Sequence, residues 1–183
     1  MDKVTEMALF LISTISSLYI TVVMLRFLFQ LVRAEFYNPL SQFIVKVTNP
    51  LLVPLRRLIP GILGIDIASV VLALLLQILA IEAIYLVENG RFSPFTAEIF
   101  ILASRLVILV VLNIYFWALL VMVILSWVAP NSNHPVTSLI NSLLYPLLNR
   151  IQKVIPPMSG LDFSPMVAMI LIYCLKILFD INR

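Results

Sequence analysis

Four apolar stretches constrain this chain more than any other feature: about Met7 to Val32, Ile65 to Val87, Ile99 to Val128, and Phe163 to Phe179. A helix of ~20 residues, range ~17–25, crosses the hydrocarbon of a bilayer. The first three stretches meet that length, and the fourth reaches it by recruiting Leu161 or Ile181. A soluble fold of 183 residues has no interior large enough for them, because 62% of the chain is hydrophobic and only 11% charged. Ordinary soluble domains carry roughly 45–50% apolar and about 25% charged residues. A mean hydropathy of +1.11 agrees. The sequence therefore predicts an all-α membrane protein with four transmembrane helices. The first stretch reads as a retained span, since its apolar core exceeds the ~7–15 residues of a signal-peptide core.

Charge sets the expected orientation. The long loop after the first span holds Arg33, Lys46, Arg56 and Arg57, and the loop after the third holds Arg150 and Lys153. Lys3, Arg91 and Arg183 lie on the other side. Six against three places both long loops in the cytoplasm and both termini outside. The net charge of +3 is thus a topology signal in loops beside apolar segments. It is no nucleic-acid footprint, and no nucleic-acid partner is expected.

A shift of 96 residues lays the second half on the first without a gap. Pro39, Pro50 and Pro60 fall on Pro135, Pro146 and Pro156; Gly64 and Asp66 fall on Gly160 and Asp162. The chain reads as two parallel tandem repeats, residues 1–90 and 91–183, related by an axis along the membrane normal. Between the spans, Leu40, Phe43, Ile44 and Val47 recur at helical spacing, as do Val136, Leu139, Ile140 and Leu143. Ser41, Gln42, Lys46 and Thr48 fill the opposite face of the first copy. Each segment predicts an amphipathic helix with proline at its first position, capped by Asn38 or by Asn133 or His134. Pro50 and Pro146 are expected to break it, leaving two short pieces. Each unit would then carry an amphipathic interfacial helical hairpin on the cytoplasmic side, against anionic lipid.

These residues resemble a known family. Phe36 to Pro50, Phe-Tyr-Asn-Pro-Leu-Ser-Gln-Phe-Ile-Val-Lys-Val-Thr-Asn-Pro, continuing into Pro54-Leu-Arg-Arg-Leu-Ile-Pro60, is similar to the signature of the YggT family. So is Gly160-Leu-Asp-Phe-Ser-Pro165. The first copy departs from that form and reads Gly64-Ile-Asp-Ile-Ala-Ser69. The family comprises small bacterial integral membrane proteins with chloroplast relatives. The resemblance implies an inner (plasma) membrane location and a role in tolerance of osmotic or salt stress. It also implies assistance to membrane-complex assembly, and it carries no reaction. The expected function is non-enzymatic: organising other membrane proteins, or self-association. The alternative is a small ion or osmolyte channel or transporter with a site at the repeat interface.

Several polar residues stand out in so apolar a chain. Asp66 and Asp162 open the second and fourth spans. They form either a carboxylate pair for a cation or protons, or two helix caps. Arg26, inside the first span, reads as their partner or as a snorkelling side chain. Glu82 and Arg105 lie at matching depths on spans joined by a short loop, which predicts an intramembrane ion pair. Arg56, Arg57, Arg150 and Lys153 read as contacts to anionic lipid or a docking partner. One cysteine, Cys174, and one histidine, His134, cannot make a Cys/His zinc site, and no Gly-x-Ser-x-Gly motif is present. No catalytic residue, cofactor or metal ligand is expected.

Overall fold

The computed structural model describes residues 2–61, 64–94, 96–128, 134–157 and 162–179. Of the residues used above, Asn133, Gly160, Leu161, Ile181 and Arg183 lie outside them. Among the described residues the chain is all-helical: α1 (Lys3–Leu31), α2 (Pro39–Leu58), α3 (Ile67–Asn89), α4 (Ala97–Val128), α5 (Pro135–Gln152) and α6 (Ser164–Phe179).

Three of these are long and apolar enough to cross a membrane: α1 with 29 residues, α3 with 23 and α4 with 32. At 1.5 Å per residue, they reach ~44, ~35 and ~48 Å, beyond the ~30 Å hydrocarbon core. Each buries no more than 22% of its most apolar window within the chain, so most of its surface is left for lipid or other protein. The 16 residues of α6 reach only ~24 Å.

Helix α1 packs chiefly against α3, and α4 chiefly against α6. The close approach of α1 and α3 is built on small residues: Ala68, Ser69, Ala73 and Ala80 on α3 are all buried. Small side chains let two backbones come together where water gives no hydrophobic drive. Ile20, Val23, Met24 and Leu28 of α1 meet Ala68, Leu72 and Ala73 there, joined by Leu52 of α2. A second, smaller cluster joins Leu119, Leu144, Ala168 and Ile172.

The two amphipathic helices meet at their starts. Asn38 caps α2 by accepting the Leu40 N–H at 3.0 Å, and its Nδ2 donates to the Pro135 carbonyl at 2.7 Å, the first residue of α5. His134 caps α5, its Nδ1 accepting the Val136 N–H at 3.3 Å. In both helices, proline follows the cap, where its missing N–H costs nothing.

The expected helical hairpin is not formed. α2 runs unbroken through Pro50 and Pro54, and α5 runs through Pro146. A proline inside a helix removes one backbone bond and crowds the carbonyl four residues back, a cost of ~3 kcal/mol or more. In α2 that carbonyl belongs to Lys46, and side chains of α1 tie down its neighbours. The Tyr19 hydroxyl donates to the Val47 carbonyl at 3.3 Å. Arg26 Nη1 donates to the Val45 carbonyl at 3.3 Å, Thr48 Oγ1 at 2.6 Å and Asn49 Oδ1 at 2.9 Å. Ile44, Thr48 and Leu52 bury the same face, while both prolines point outward. Tertiary bonds and packing thus offset what proline removes.

Arg26→Met should therefore lower the stability of the detergent-solubilised chain by about 2–3 kcal/mol, since it strands three acceptors on α2. Thr48→Val should cost about 1 kcal/mol. Thermal unfolding followed by circular dichroism checks both, and equal midpoints for Arg26→Met and the parent chain would remove Arg26 from this role.

Candidate functional site

The polar centre of the structure lies where α2 ends and α3 begins. Pro60 follows the last turn of α2 and cannot extend it. Gly64 then takes a left-handed φ of 81°, which glycine adopts without strain. The turn brings Asp66, only 5% exposed, back against the end of α2. Arg56 grips its carboxylate with two bonds, Nε to Oδ1 at 3.2 Å and Nη2 to Oδ2 at 2.5 Å. The Ser69 hydroxyl donates to the same Oδ2. Arg56 also reaches Gln30 Oε1 on α1 at 3.3 Å, so the pair ties three helices together. A two-point arginine–carboxylate bond is among the strongest polar contacts a protein makes.

Burial alone would raise the Asp66 pKa. The bonds from Arg56 and Ser69, with the charges of Arg56 and Arg26, outweigh burial and hold the carboxyl below its ordinary value. Asp66 occupies the N-cap position of α3, but its side chain makes no capping bond. The structure thus shows the Asp66 carboxylate making no capping bond to α3 and taking its positive partner from Arg56.

Asp162 differs. It is exposed, accepts the Ser164 N–H at 2.9 Å at the start of α6, and accepts Gln152 Nε2 at 2.9 Å. Ser164 and Gln152 hold its pKa below the ordinary value. Among the described residues, no bond or shared partner joins the two aspartates. Both obey a common rule, however: each takes a bond from the residue ten positions earlier, Arg56 for Asp66 and Gln152 for Asp162.

The expected partners of other charges also change. Arg26 forms no ion pair with either aspartate; the Arg56–Asp66 bridge is the one ion pair among the described residues. Arg26 is 8% exposed and is spent on α2 instead. Glu82 and Arg105 do not pair. The Ser93 N–H from the α3–α4 loop donates to Glu82 Oε2 at 3.1 Å, and Oε1 is buried without a partner among the described residues. Equal depth along two helices did not give equal facing, and the returning loop supplied a backbone donor. Arg57, Arg150 and Lys153 are exposed. Arg56 belongs to the Asp66 pair rather than to the surface set. Lys176, which the sequence reading passed over, lies 4.9 Å from the Phe116 ring centre, a cation–π contact between α6 and α4.

Tyr19, Asn49 and Ser69 were not singled out in the sequence, and Ser41 and Thr48, read as part of the polar face of α2, are buried with Ile44 and Leu52. The ten-residue spacing of Arg56–Asp66 and Gln152–Asp162, visible at the 96-residue shift, could have found the partners of the two aspartates. Among the described residues, no group of three His, Cys, Asp or Glu could hold a metal.

Asp66→Asn should destabilise the chain by about 2 kcal/mol, since it leaves a half-buried guanidinium short of its counter-charge. Asp162→Asn, on an exposed cap, should cost less than about 1 kcal/mol. Both native pKa values lie below the unfolded value of about 3.9. The stability they add is present above that pH and is lost as pH falls through the folded values. Unfolding midpoints between pH 7 and pH 3 should fall less steeply for the double variant than for the parent chain.

Comparison with known proteins places the chain in a family. A family model described as CCB3/YggT matches residues 5–87 and again 101–181. An uncharacterized protein of Pseudomonas aeruginosa is 47% identical over 161 residues, covering 88% of this chain and 82% of the relative. The uncharacterized protein YggT of Escherichia coli is 42% identical over 168 residues, covering 91% of this chain and 86% of its own. The uncharacterized protein ycf19 of Porphyra purpurea is 36% identical over 70 residues, 37% of this chain and 73% of its own. No solved structure matches. With both halves matched by one family model and close relatives aligned over most of their length, the chain belongs to the CCB3/YggT family.

Proposed function

We propose that this chain is a polytopic inner-membrane protein that supports tolerance of osmotic stress by organising or assisting other membrane proteins, without catalysing a reaction. One observation carries the choice of mechanism. The best-placed carboxylate for a cation path, Asp66, is already neutralised by Arg56 and bonded by Ser69. Meanwhile, the outer faces of α2 and α5 present Lys46, Arg57, Arg150 and Lys153 exposed and without ion pairs among the described residues. An amphipathic helix with a basic outer face suits an anionic leaflet or an acidic partner.

The proposal keeps the two-repeat architecture, residues 1–90 and 91–183, with α6 as the short fourth span. The 96-residue spacing of the capping residues Asn38 and His134 supports it, as do the two Asp contacts and the doubled family match. It also keeps α2 and α5 on the cytoplasmic side and both termini outside, on the basis of loop charge.

The channel or transporter reading stays second. It draws on a cavity of about 650 Å³ between α1, α4 and the starts of α2 and α5. Ser17, Thr21 and Asn113 contribute polar groups to it, but its wall is chiefly apolar.

Two experiments test these readings. In a Cys174→Ser background, a membrane-impermeant maleimide should label Arg91→Cys in intact cells and Lys46→Cys only after permeabilisation. The reverse pattern inverts the topology. In a strain lacking the gene, Arg57→Gln/Arg150→Gln/Lys153→Gln at parental expression should fail to restore growth in high salt. Asp66→Asn should restore it in proportion to the protein that accumulates. Loss of rescue confined to Asp66→Asn, at normal protein level, would favour transport instead.

A further inference from the structure

A second pocket, of about 310 Å³, lies between the end of α1 and the first half of α2. Three arginines line it, Arg26, Arg33 and Arg56, together with Gln30 and Ser41. Asp66 is the one carboxylate that pairs with any of them, and it pairs with Arg56 alone. The pocket therefore holds more positive charge than its own residues cancel.

One detail shows that the pocket is unsatisfied as it stands. Ser41 is 7% exposed, yet its buried hydroxyl has no hydrogen-bond partner among the described residues. A polar group so deeply buried ordinarily finds one. Arg33 adopts a φ of 53°, the one non-glycine residue with positive φ among those described. It closes α1 in a glycine-type C-cap, with its own N–H on the Gln30 carbonyl at 3.1 Å and the Ala34 N–H on the Phe29 carbonyl at 2.8 Å. Glycine would sit there without strain. Arg33 is exposed and lines the pocket, so its charge lies at the pocket wall.

The pocket also has an apolar neighbour. Phe29 and Ile44 are walls both of this pocket and of the 650 Å³ apolar cavity between α1 and α4. A polar, cationic chamber opening beside an apolar one matches one class of molecule: an acidic head on a hydrocarbon tail.

We propose that this pocket binds the phosphate of an anionic phospholipid. Arg33 and Ser41 donate to the phosphate oxygens; Arg26, whose Nη1 is held by α2, adds its charge and its remaining N–H groups, and an acyl chain passes Phe29 and Ile44 into the apolar cavity. Arginine suits phosphate because its planar fork gives two parallel bonds. The site rests on the membrane reading above. It adds to that reading a stoichiometric lipid held at one place, where the exposed basic faces of α2 and α5 would make only diffuse contact. The 96-residue shift places Met122 opposite Arg26 and Thr137 opposite Ser41, so the second half does not repeat the arginine set.

The test uses the full chain, purified and delipidated in neutral detergent. Thermal unfolding is followed on adding phosphatidylglycerol, phosphatidylcholine or inorganic phosphate, with bound lipid counted by native mass spectrometry. Phosphatidylglycerol should raise the midpoint and leave one lipid bound; the other two should do neither. Arg33→Gly removes the strain and the guanidinium together. It should stabilise the lipid-free chain, yet raise the phosphatidylglycerol concentration needed by about tenfold. Ser41→Ala should keep the lipid-free midpoint and weaken the lipid by a smaller factor. Arg57→Gln, outside the pocket, should stay within about twofold of the parent.

The proposal is overturned if phosphatidylcholine acts as well as phosphatidylglycerol. It is overturned too if inorganic phosphate gives the whole effect, which would make the ligand a free anion, or if Arg57→Gln weakens binding as much as Arg33→Gly. Growth in high salt does not enter this readout, so the lipid site and the stress role can each fail alone.

Discussion

Proline in the middle of α2 is the constraint on which the rest of the structure turns. Pro50 removes the backbone bond to the Lys46 carbonyl, on the exposed side of α2. On the buried side, Tyr19 and Arg26 of α1 hold the helix at its Val47 and Val45 carbonyls. The consequence is geometric. Because α2 runs on through Pro54 to Leu58 as one helix, its last turn arrives beside the turn into α3. Arg56 can then close on Asp66 and touch Gln30. A helix broken at Pro50 would leave the direction of that last turn free, and α1, α2 and α3 would lack their shared polar junction.

The same interaction bears on Asp66 as a cation site. A carboxylate at a helix start suggests such a site when only its type and position are known. Its partner changes its chemistry. Arg56 supplies the positive charge internally, over two bonds, from a side chain whose helix is held in place by Arg26. Moving a cation through Asp66 would require that pair to open and leave a guanidinium without its counter-charge in a poorly solvated place.

Much of the architecture was legible in the sequence. The long apolar runs gave α1, α3 and α4, and periodic apolar residues behind Asn38-Pro39 and His134-Pro135 gave α2 and α5, because helix period and capping are local properties. The failures share one physical cause. Pro50 was read by its local rule, whereas the contacts that hold the buried side of α2 come from Tyr19 and Arg26, more than twenty residues away. Glu82 and Arg105 were paired by depth alone. Depth follows from counting residues, but facing depends on helix rotation, and the Ser93 N–H was closer. Arg56 was placed with the surface charges because its neighbour Arg57 is exposed, although one step of 100° separates the two around the helix.

The 96-residue shift sharpens what divides the two halves. It places Gln152 where Arg56 stands, Met122 where Arg26 stands and Leu144 where Thr48 stands. Asp162 is accordingly exposed and held by a neutral amide, while Asp66 is buried and held by a cation. Both halves carry six Lys and Arg residues, but they are placed differently. Here the first half gathers Arg26, Arg33 and Arg56 around one pocket, and the second keeps apolar side chains at the positions of Arg26 and Thr48. On the proposed repeat, the duplicated backbone serves as a shared scaffold. One copy carries the polar chemistry, and the other supplies, through α4 and α5, much of the apolar wall that the first copy's pocket adjoins. On the proposed lipid site, the asymmetry is what confines the bound phosphate to the first half.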